Sequence, residues 1–169
     1  MMSEDTSRAE TIETIREMIE DIRIAMLTTV NPVDGSLHSR PMGVAGEMEA
    51  DNSLWFFTHE TARKVTEAEQ HPQVGVTFSD PEDSDYVALS GRSRIVTDKA
   101  EIEKRWNPAL KGWFPEGPET PDLALLHFTP ERAEYWAGTD NPLKRAFEFS
   151  KAALTGDTPD LGENEKVRL

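Results

Sequence analysis

Hydrophobic positions change their spacing along the first part of the chain. Four isoleucines recur at intervals of three and four residues among charged side chains: Ile12, Ile15, Ile19 and Ile22. This spacing predicts an amphipathic helix over residues 6–23, with one buried face. The following residues 24–30, IAMLTTV, have the β-branched composition of a strand. The turn cluster NPVDG at 31–35 then predicts a hairpin between this strand and a second strand over about 36–46.

Shorter apolar runs, separated by turn signals, predict the remaining strands: Leu54–Thr58, Gln73–Ser79, Tyr86–Val96, Leu123–Thr129 and Ala133–Trp136. The unbroken apolar run of Leu54–Thr58 predicts burial on both faces, and Gly91 inside a long strand predicts a bulge or bend. Further helices are predicted at three places: Thr61–Gln70, Asp98–Trp106 and Asn141–Leu154. Many short strands with few helices between them favour an antiparallel β-barrel over a doubly wound sheet.

The expected fold is therefore mainly β, a β-barrel with flanking helices. Residues 1–155 are expected to form one domain, because 169 residues is a length typical of a single domain. The polar residues 156–169 are expected to form a flexible acidic tail. The segment Asn107–Pro121 is rich in proline and glycine but holds Trp113 and Phe114, so it is expected to be an ordered loop.

The chain carries 32 acidic and 18 basic side chains, a formal charge of -14. Such acidity argues against nucleic-acid binding, which needs cations to neutralise several phosphates, whereas a small anion needs only two or three. The chain has no cysteine, which rules out disulfides, thiolate metal sites and a cysteine nucleophile. The four histidines lack metal-binding spacing, so no metal is expected. No apolar run is long enough for a membrane span and the N-terminus is polar, so a cytoplasmic location is expected.

The segment WFFTHETARKV, residues 55–65, places two adjacent cations at the start of a predicted helix. The first turn of a helix carries a partial positive charge and favours acidic side chains. Arg63 and Lys64 stand there instead, and Thr58 and Thr61 accompany them. Free backbone N–H groups, hydroxyls and cations at one helix end are the groups that bind a phosphate. The segment therefore predicts a site for an anion.

Each of these cations also has a purely structural interpretation. Arg63 and Lys64 can point into solvent or pair with Glu60 and Glu67. Arg40, in the segment SRPM, can reach the same anion from a neighbouring strand, or it can pack its stem on the sheet with its head in solvent. The pattern alone supports the two interpretations of Arg40 equally.

Four aromatic residues in the second half of the chain are candidates for enclosing a flat ring: Trp106, Trp113, Phe114 and Trp136. Aromatic side chains are more often core residues than ligand contacts, and most of these are expected in the core. Trp113 and Phe114 are the hardest to assign to a core, because they lie in a loop rich in proline and glycine.

The predicted elements occur in an order that resembles a known family. A helix is followed by IAMLTTV, the SRPM strand, WFFTHETARKV, HPQVGVTF and YVALSGRSRIV. Together they resemble the pyridoxamine 5'-phosphate oxidase-like flavoproteins, whose fold is the FMN-binding split barrel. The segment RWNPALKGWFPEGPETPDLALLHFTPERAEYW is similar to the C-terminal half of their general stress protein branch. The resemblance covers roughly residues 10–150 and implies a six-stranded antiparallel split barrel, a homodimer, and FMN held in clefts between the two subunits.

The resemblance also implies which residues contact FMN. Arg40 and Lys64 correspond to the family's phosphate-contacting cations, with Arg63 beside them. Pro41 and Met42 follow Arg40 on the strand whose backbone lies against the flavin ring in that family. These five residues are therefore expected at the cofactor.

Further cofactor contacts are expected from other parts of the chain. Phe57 and Thr58 match the strand end that borders the flavin and its phosphate. Tyr86 stands where pyridoxamine phosphate oxidases carry a flavin-contacting glutamine. Trp136 matches a tryptophan that approaches FMN from the partner subunit. Trp113 is the candidate from the segment Asn107–Pro121, which we call the aromatic loop.

Two departures from the family pattern bear on activity. Oxidases of pyridoxamine phosphate follow the tryptophan with an Arg-x-His-type substrate motif, whereas this chain has GTDNPLKRAF, without a histidine. The change from glutamine to Tyr86 alters the polarity beside the ring. These departures predict an FMN-binding protein that does not oxidise pyridoxamine phosphate, and they assign no catalytic side chain. Three hypotheses stay open: a flavin-dependent oxidoreductase, a non-catalytic stress protein that stores, buffers or senses flavin, and a reductase that uses a deazaflavin.

Overall fold

The computed structural model describes residues 4–139, 142–158 and 162–169. Within these ranges the chain forms helices on the outside of one antiparallel sheet. The elements are α1 (Glu4–Ile22), β1 (Ile24–Val30), β2 (Leu37–Gly43), β3 (Leu54–His59), α2 (Arg63–Gln70), β4 (Gln73–Asp80), β5 (Asp85–Val96), α3 (Lys99–Arg105), two 3-10 helices (Pro108–Gly112 and Gly117–Glu119), β6 (Leu123–Gly138), α4 (Pro142–Thr155) and β7 (Gly162–Arg168).

The sheet curls until its two ends meet. Its strand order is β2-β1-β4-β5-β6-β3, and β7 pairs with β6 outside this path. Just beyond β2, Val44 forms an isolated bridge with Phe56 of β3, and the N–H of Ala45 donates to the carbonyl of Trp55 at 2.7 Å. Six strands therefore make a barrel that is split between β2 and β3. This architecture confirms the expected mainly β split barrel with flanking helices.

Strand β3 is buried on both faces, as its apolar run predicts. Leu54 and Phe56 face the barrel interior, where α1 also contributes to the main core. Trp55 and Phe57 face the opposite way, into a second cluster beneath α3 and the 3-10 helices. Both clusters remove apolar surface from water, so the aromatic loop is ordered by packing on β3.

Two local predictions are confirmed by the backbone. The pairing of β5 with β6 shifts register between Ser90 and Gly91, where a bulge is expected. A Cβ added at Gly91 would lie 2.1 Å from the carbonyl oxygen of Thr129, so only glycine fits there. The side chain of Asp98 caps α3 by accepting from the N–H of Glu101 at 3.0 Å.

Two predictions about the C-terminal part are wrong. The separate strands expected at Leu123–Thr129 and Ala133–Trp136 form one strand, because the long β5 pairs with β6 on both sides of Pro130. The flexible tail expected over 156–169 contains β7, which pairs with β6 along its length. Polar composition suggests a tail, but an edge strand is held by backbone hydrogen bonds and needs few buried side chains. Residues 159–161 of that tail, and residue 141 of the last predicted helix, lie outside the described residues.

Candidate functional site

Helix α2 begins without a side-chain cap at the end of β3. Ala62 is the capping residue, no side chain accepts from the first N–H groups, and no acidic residue lies in the first turn. Arg63 and Lys64 are the first two residues of the helix. The backbone at this helix end therefore still offers donors to an acceptor.

One turn further along α2, the buried carboxylate of Glu67 pairs with the surrounding cations. The Glu67 side chain is 3% exposed. Its Oε1 lies 3.0 Å from Nε of Arg63 and 2.8 Å from Nδ1 of His38. Its Oε2 accepts from Nη2 of Arg40 at 3.1 Å and from the hydroxyl of Thr29. We call these five residues the Glu67 cluster.

Strand periodicity explains why β2 contributes to the cluster. His38, Arg40 and Met42 are alternate residues of β2 and point to its inner face. Thr29 lies opposite His38 on β1, and its Oγ1 accepts from Nη1 of Arg40 at 2.6 Å. Arg40 is therefore an inward-facing, partly buried residue, and the interpretation that places its head in solvent is wrong.

The Glu67 carboxylate is held in its charged form. Burial alone would raise the pKa of Glu67, but hydrogen bonds from Thr29, His38 and Arg40 outweigh it and lower the pKa to about 2. The side chains of Arg40 and Arg63 are thus both compensated by one ionised carboxylate. The pairing of Arg63 with Glu67 agrees with the interpretation in which this arginine forms an ion pair within the protein.

Lys64 has a different environment from its neighbour Arg63. Among the described residues, no carboxylate lies within ion-pair distance of the Lys64 ammonium. Burial lowers the pKa of Lys64, and the positive charge of Arg40 lowers it further. A half-buried ammonium without a counter-ion favours an anion at this position.

Lys64 lines a cavity of about 270 Å³ between β2, β3 and the aromatic loop. Backbone and side chains of two strand segments form its inner walls: Pro41, Met42, Gly43, Phe57, Thr58 and His59. Leu110, Trp113 and Phe114 close it from the loop, with Ile24 at the edge. We call this space the Lys64 cavity. Apolar walls with one cationic end suit a flat ring that carries an anionic arm.

The aromatic loop is fixed to the cavity by one of its two adjacent rings. Phe114 is 6% exposed, and its ring centroid lies 6.2 Å from that of Phe57 and 4.8 Å from that of His59. Trp113 is 71% exposed at the mouth. Phe114 thus anchors the loop, and Trp113 is available for contact with a ligand.

The remaining two predicted residues lie elsewhere on the sheet. Tyr86 of β5 and Trp136 of β6 face each other across paired strands and are 38% and 39% exposed. Neither lines the Lys64 cavity. The ten predicted contacts therefore divide between this cavity, the Glu67 cluster and an outer sheet face. Six line the cavity: Pro41, Met42, Phe57, Thr58, Lys64 and Trp113.

Sequence reasoning missed the central role of Glu67 and the presence of His38 and Thr29 beside it. The signal was partly available, because Arg63 and Glu67 have helical i,i+4 spacing and His38 alternates with Arg40 on one strand. The sequence could not show that this face of β2 packs against this face of α2. In the described part of the chain, no group of three or more acidic or histidine side chains could hold a metal ion. No described helix is long and apolar enough to cross a membrane.

Comparison with known proteins agrees with the fold. Residues 10–160 match the family model described as pyridoxamine 5'-phosphate oxidase like. Protein bli-3 of Neurospora crassa is 25% identical over 153 residues, which are 86% of this chain and 73% of that protein. A candidate general stress protein 26 from Jannaschia sp. superposes with a TM-score of 0.74 at 26% identity, over 95% of this chain and 99% of that chain. The general stress FMN/FAD binding protein of Xanthomonas citri has a TM-score of 0.67 at 29% identity, over 79% and 92% of the two chains.

These similarities confirm the resemblance that the order of sequence segments suggests. The solved structures share the split barrel, and the family match extends over most of the chain, from residue 10 to residue 160. The chain belongs to the pyridoxamine 5'-phosphate oxidase like family.

Proposed function

We propose that this protein is an FMN-binding protein of the general stress type and that the Lys64 cavity receives the cofactor. The observation that carries the proposal is the half-buried Lys64 ammonium, which has no carboxylate partner among the described residues and lines an apolar cavity. A phosphate would supply its counter-ion, and the apolar walls would cover a ring. Flavin binding by a similar protein, the general stress FMN/FAD binding protein of Xanthomonas citri, supports the same ligand class.

The residues present fit FMN in their chemistry. Lys64 would hold the phosphate, with the hydroxyl of Thr58 and the uncapped N–H groups of α2 beside it. Phe57 and Met42 would cover the ring, and Trp113 would lie across its exposed edge. Bound FMN supplies electron or hydride transfer, while the protein positions it and excludes water.

The proposal includes a homodimer with the site shared between two copies. Tyr86 and Trp136 lie on an outer sheet face, outside the Lys64 cavity of their own chain. Two further exposed apolar side chains, Ile24 and Met26, belong to β1, which β4 separates from β5 in the same sheet. A second chain packed on this face would cover these side chains and bring Trp136 toward the partner's cavity.

The test is a titration of the purified protein with FMN, followed by flavin fluorescence, with riboflavin as the matched ligand that lacks the phosphate. We expect saturation at one FMN per chain and about tenfold or more weaker binding of riboflavin, the scale of hydrogen bonds to a charged group. A preparation that is colourless and takes up no FMN would overturn the proposal. Equal affinity for both ligands would remove the phosphate from it, and exclusive uptake of a deazaflavin would replace FMN.

A second measurement addresses turnover. The FMN-loaded protein is mixed with NADH or NADPH under oxygen, and flavin reduction and reoxidation are followed in the visible spectrum. Continuous turnover would make the protein an oxidoreductase, whereas a flavin that stays oxidised with both donors would indicate storage, buffering or sensing. Pyridoxamine phosphate is not expected to reduce the flavin, because the family's Arg-x-His substrate motif has no match in GTDNPLKRAF.

A further inference from the structure

A second cavity adjoins the Lys64 cavity. It measures about 600 Å³ and lies between the junction of α1 with β1, the residues after β2 and the aromatic loop. Trp106 lines this cavity and not the Lys64 cavity, so we call it the Trp106 cavity. Four residues line both spaces and form their common boundary: Ile24, Gly43, Leu110 and Trp113.

The course of β2 shows which end of the cofactor this cavity would meet. Met42 lines only the Lys64 cavity, Gly43 lines both, and residues 44–46 line only the Trp106 cavity. Lys64 and Thr58, the proposed phosphate contacts, do not line the Trp106 cavity. A ligand in it would therefore lie beside the ring of bound FMN and away from the phosphate.

The walls of the Trp106 cavity are mainly apolar. The Trp106 ring packs edge to face on Phe57, with the centroids 5.8 Å apart and the planes at 85°. Phe57 itself lines the Lys64 cavity, so this ring pair connects the walls of the two spaces. The apolar lining residues include two indoles: Val44, Ala45, Leu110, Trp106 and Trp113. Such walls suit a flat aromatic ligand.

The charged groups at this cavity indicate the charge of the ligand. Among the described residues that line it, none is acidic, and Arg23 and Arg105 are the charged ones. Arg105 is already neutralised by Glu49 at 2.8 Å and by Glu101 of its own helix. Arg23 has no carboxylate within ion-pair distance in the described ranges, and its Nη2 lies 3.5 Å from the carbonyl oxygen of Gly46. The cavity therefore favours an anionic group at Arg23 over a cationic one.

The backbone of Arg23 makes an arginine at this position costly. Arg23 follows α1 with a φ of 61°, and its N–H donates to the carbonyl of Ile19 at 2.9 Å. This is the left-handed cap of a helix, a conformation that glycine adopts freely and other residues adopt at a cost in free energy. Strain of this kind is concentrated at binding and active sites. The arginine side chain at the cavity edge is thus kept against the local backbone preference.

We infer that the Trp106 cavity binds a second ligand of the flavin site, a flat aromatic molecule with one negative charge. Its ring lies against Trp106 and Trp113, and its acidic group faces Arg23. The inference rests on the proposed function in one respect, which is that FMN occupies the neighbouring Lys64 cavity. An aromatic acid is then the class of molecule that meets the flavin ring.

The probe is 2-naphthoate, added at constant ionic strength to the full ¹⁵N-labelled protein loaded with FMN. We expect the indole N–H resonances of Trp106 and Trp113, assigned with Trp→Phe variants, to move to saturation. Those of Trp55 and Trp136 should stay in place, since neither residue lines the cavity. Naphthalen-2-ylmethylammonium has the same ring and the opposite charge, and it should bind about threefold or more weakly than 2-naphthoate.

One pair of variants tests the cavity wall. Ala109→Asp adds a negative charge at an exposed lining residue and should weaken 2-naphthoate binding about threefold or more, the scale of an interaction between exposed charges. Ala100→Asp is the matched control, because Ala100 is exposed on α3 and lines neither cavity. Its 2-naphthoate affinity should equal that of the wild type.

A second pair of variants separates ligand binding from folding. Arg23→Gly should weaken 2-naphthoate binding only about threefold, because the exposed guanidinium is screened by water. It should leave the midpoint of urea denaturation unchanged or raise it, because glycine relieves the positive φ. Ser84→Gly, at a φ of 62°, is the control and should have the same effect on the midpoint without changing the affinity. A merely structural role of Arg23 would give a lower midpoint and an unchanged affinity.

Three results would overturn this inference. One is a Trp106 resonance that does not saturate, or equal 2-naphthoate affinity in the wild type and Ala109→Asp. Another is release of FMN by 2-naphthoate, seen as a rise in free flavin fluorescence, which would place the probe in the cofactor's own cavity. The third is tighter binding of the ammonium probe. The FMN-free protein is titrated as well, so that saturation of Trp106 in a protein that takes up no FMN would refute the cofactor and still support the cavity.

Discussion

Two neighbouring residues of α2 have opposite electrostatic environments. Arg63 donates to the buried carboxylate of Glu67 at 3.0 Å, within a cluster that also pairs Arg40. Lys64 lines a cavity and has no carboxylate partner among the described residues. The two cations are adjacent in sequence and look equivalent there.

The difference shows that a cation's capacity to bind a ligand depends on whether a carboxylate already neutralises it, and not on its charge alone. Inside the Glu67 cluster, charges are paired and hydrogen-bonded, so they stabilise the junction of α2 with β1 and β2. The Lys64 ammonium is partly removed from water and has no carboxylate partner among the described residues, so its position favours the binding of an anionic ligand. We therefore expect variants of the cluster to affect folding and variants of the cavity to affect binding.

The largest expected effect is on stability. Glu67→Gln keeps the shape but removes the charge that compensates Arg40 and Arg63, so we expect a loss of about 2–4 kcal/mol in the free energy of unfolding. Urea denaturation measures it. Glu69→Gln, at an exposed position of the same helix, is the matched control and should change stability by less than about 0.5 kcal/mol. Equal losses of unfolding free energy in the two variants would contradict a structural role for the Glu67 cluster.

The same variant has a defined pH dependence. The pKa of Glu67 is lowered to about 2 from an ordinary value of 4.5. A carboxylate with a lowered folded-state pKa stabilises the protein above its unfolded pKa, and this stabilisation is lost as pH falls through the folded value. The stability gap between wild type and Glu67→Gln should therefore be full above pH 4.5 and shrink toward pH 2. A gap that widens on acidification would contradict this.

The next effect is on cofactor affinity. Lys64→Ala should weaken FMN binding by about 1.5–3 kcal/mol, the value of a hydrogen bond to a charged group. Arg63→Ala, one residue earlier, should change it by less than about 0.5 kcal/mol, because that guanidinium is committed to Glu67. Fluorescence titration of both variants with FMN and riboflavin measures the difference, and riboflavin affinity should be insensitive to Lys64. A greater loss from Arg63→Ala would reverse the comparison.

The smallest effect is expected at a partly exposed pair on the rim of the same region. Asp122 lies 3.1 Å from Nδ1 of His59, and the two side chains are 39% and 45% exposed, against 3% for Glu67. Asp122→Asn should cost less than about 1 kcal/mol in urea denaturation, because water reaches both side chains and screens their interaction. A cost equal to that of Glu67→Gln would mean that burial is not what distinguishes the Glu67 cluster.

Much of the local structure could be predicted because local patterns carry it. The isoleucine spacing of α1, the apolar run of β3, the capping residue Asp98 and the bulge at Gly91 each depend on nearby residues. β7 could not be predicted, because its sequence is polar and its backbone pairs with β6, which is distant in sequence.

The candidate site likewise has some features that depend on nearby residues and others that depend on tertiary structure. Sequence alone identified the cations at the start of α2, since their conflict with the helix dipole is a local property. The i,i+4 pairing of Arg63 with Glu67 is also local, but only tertiary structure brings the inner face of β2 against one face of α2 and encloses Glu67 between them. Tertiary structure likewise placed Tyr86 and Trp136 outside the Lys64 cavity. Strand pairing also set Trp55 of β3 and Arg94 of β5 on either side of His127 of β6. Desolvation and charge compensation depend on which surfaces meet, so they are determined only when the chain has folded.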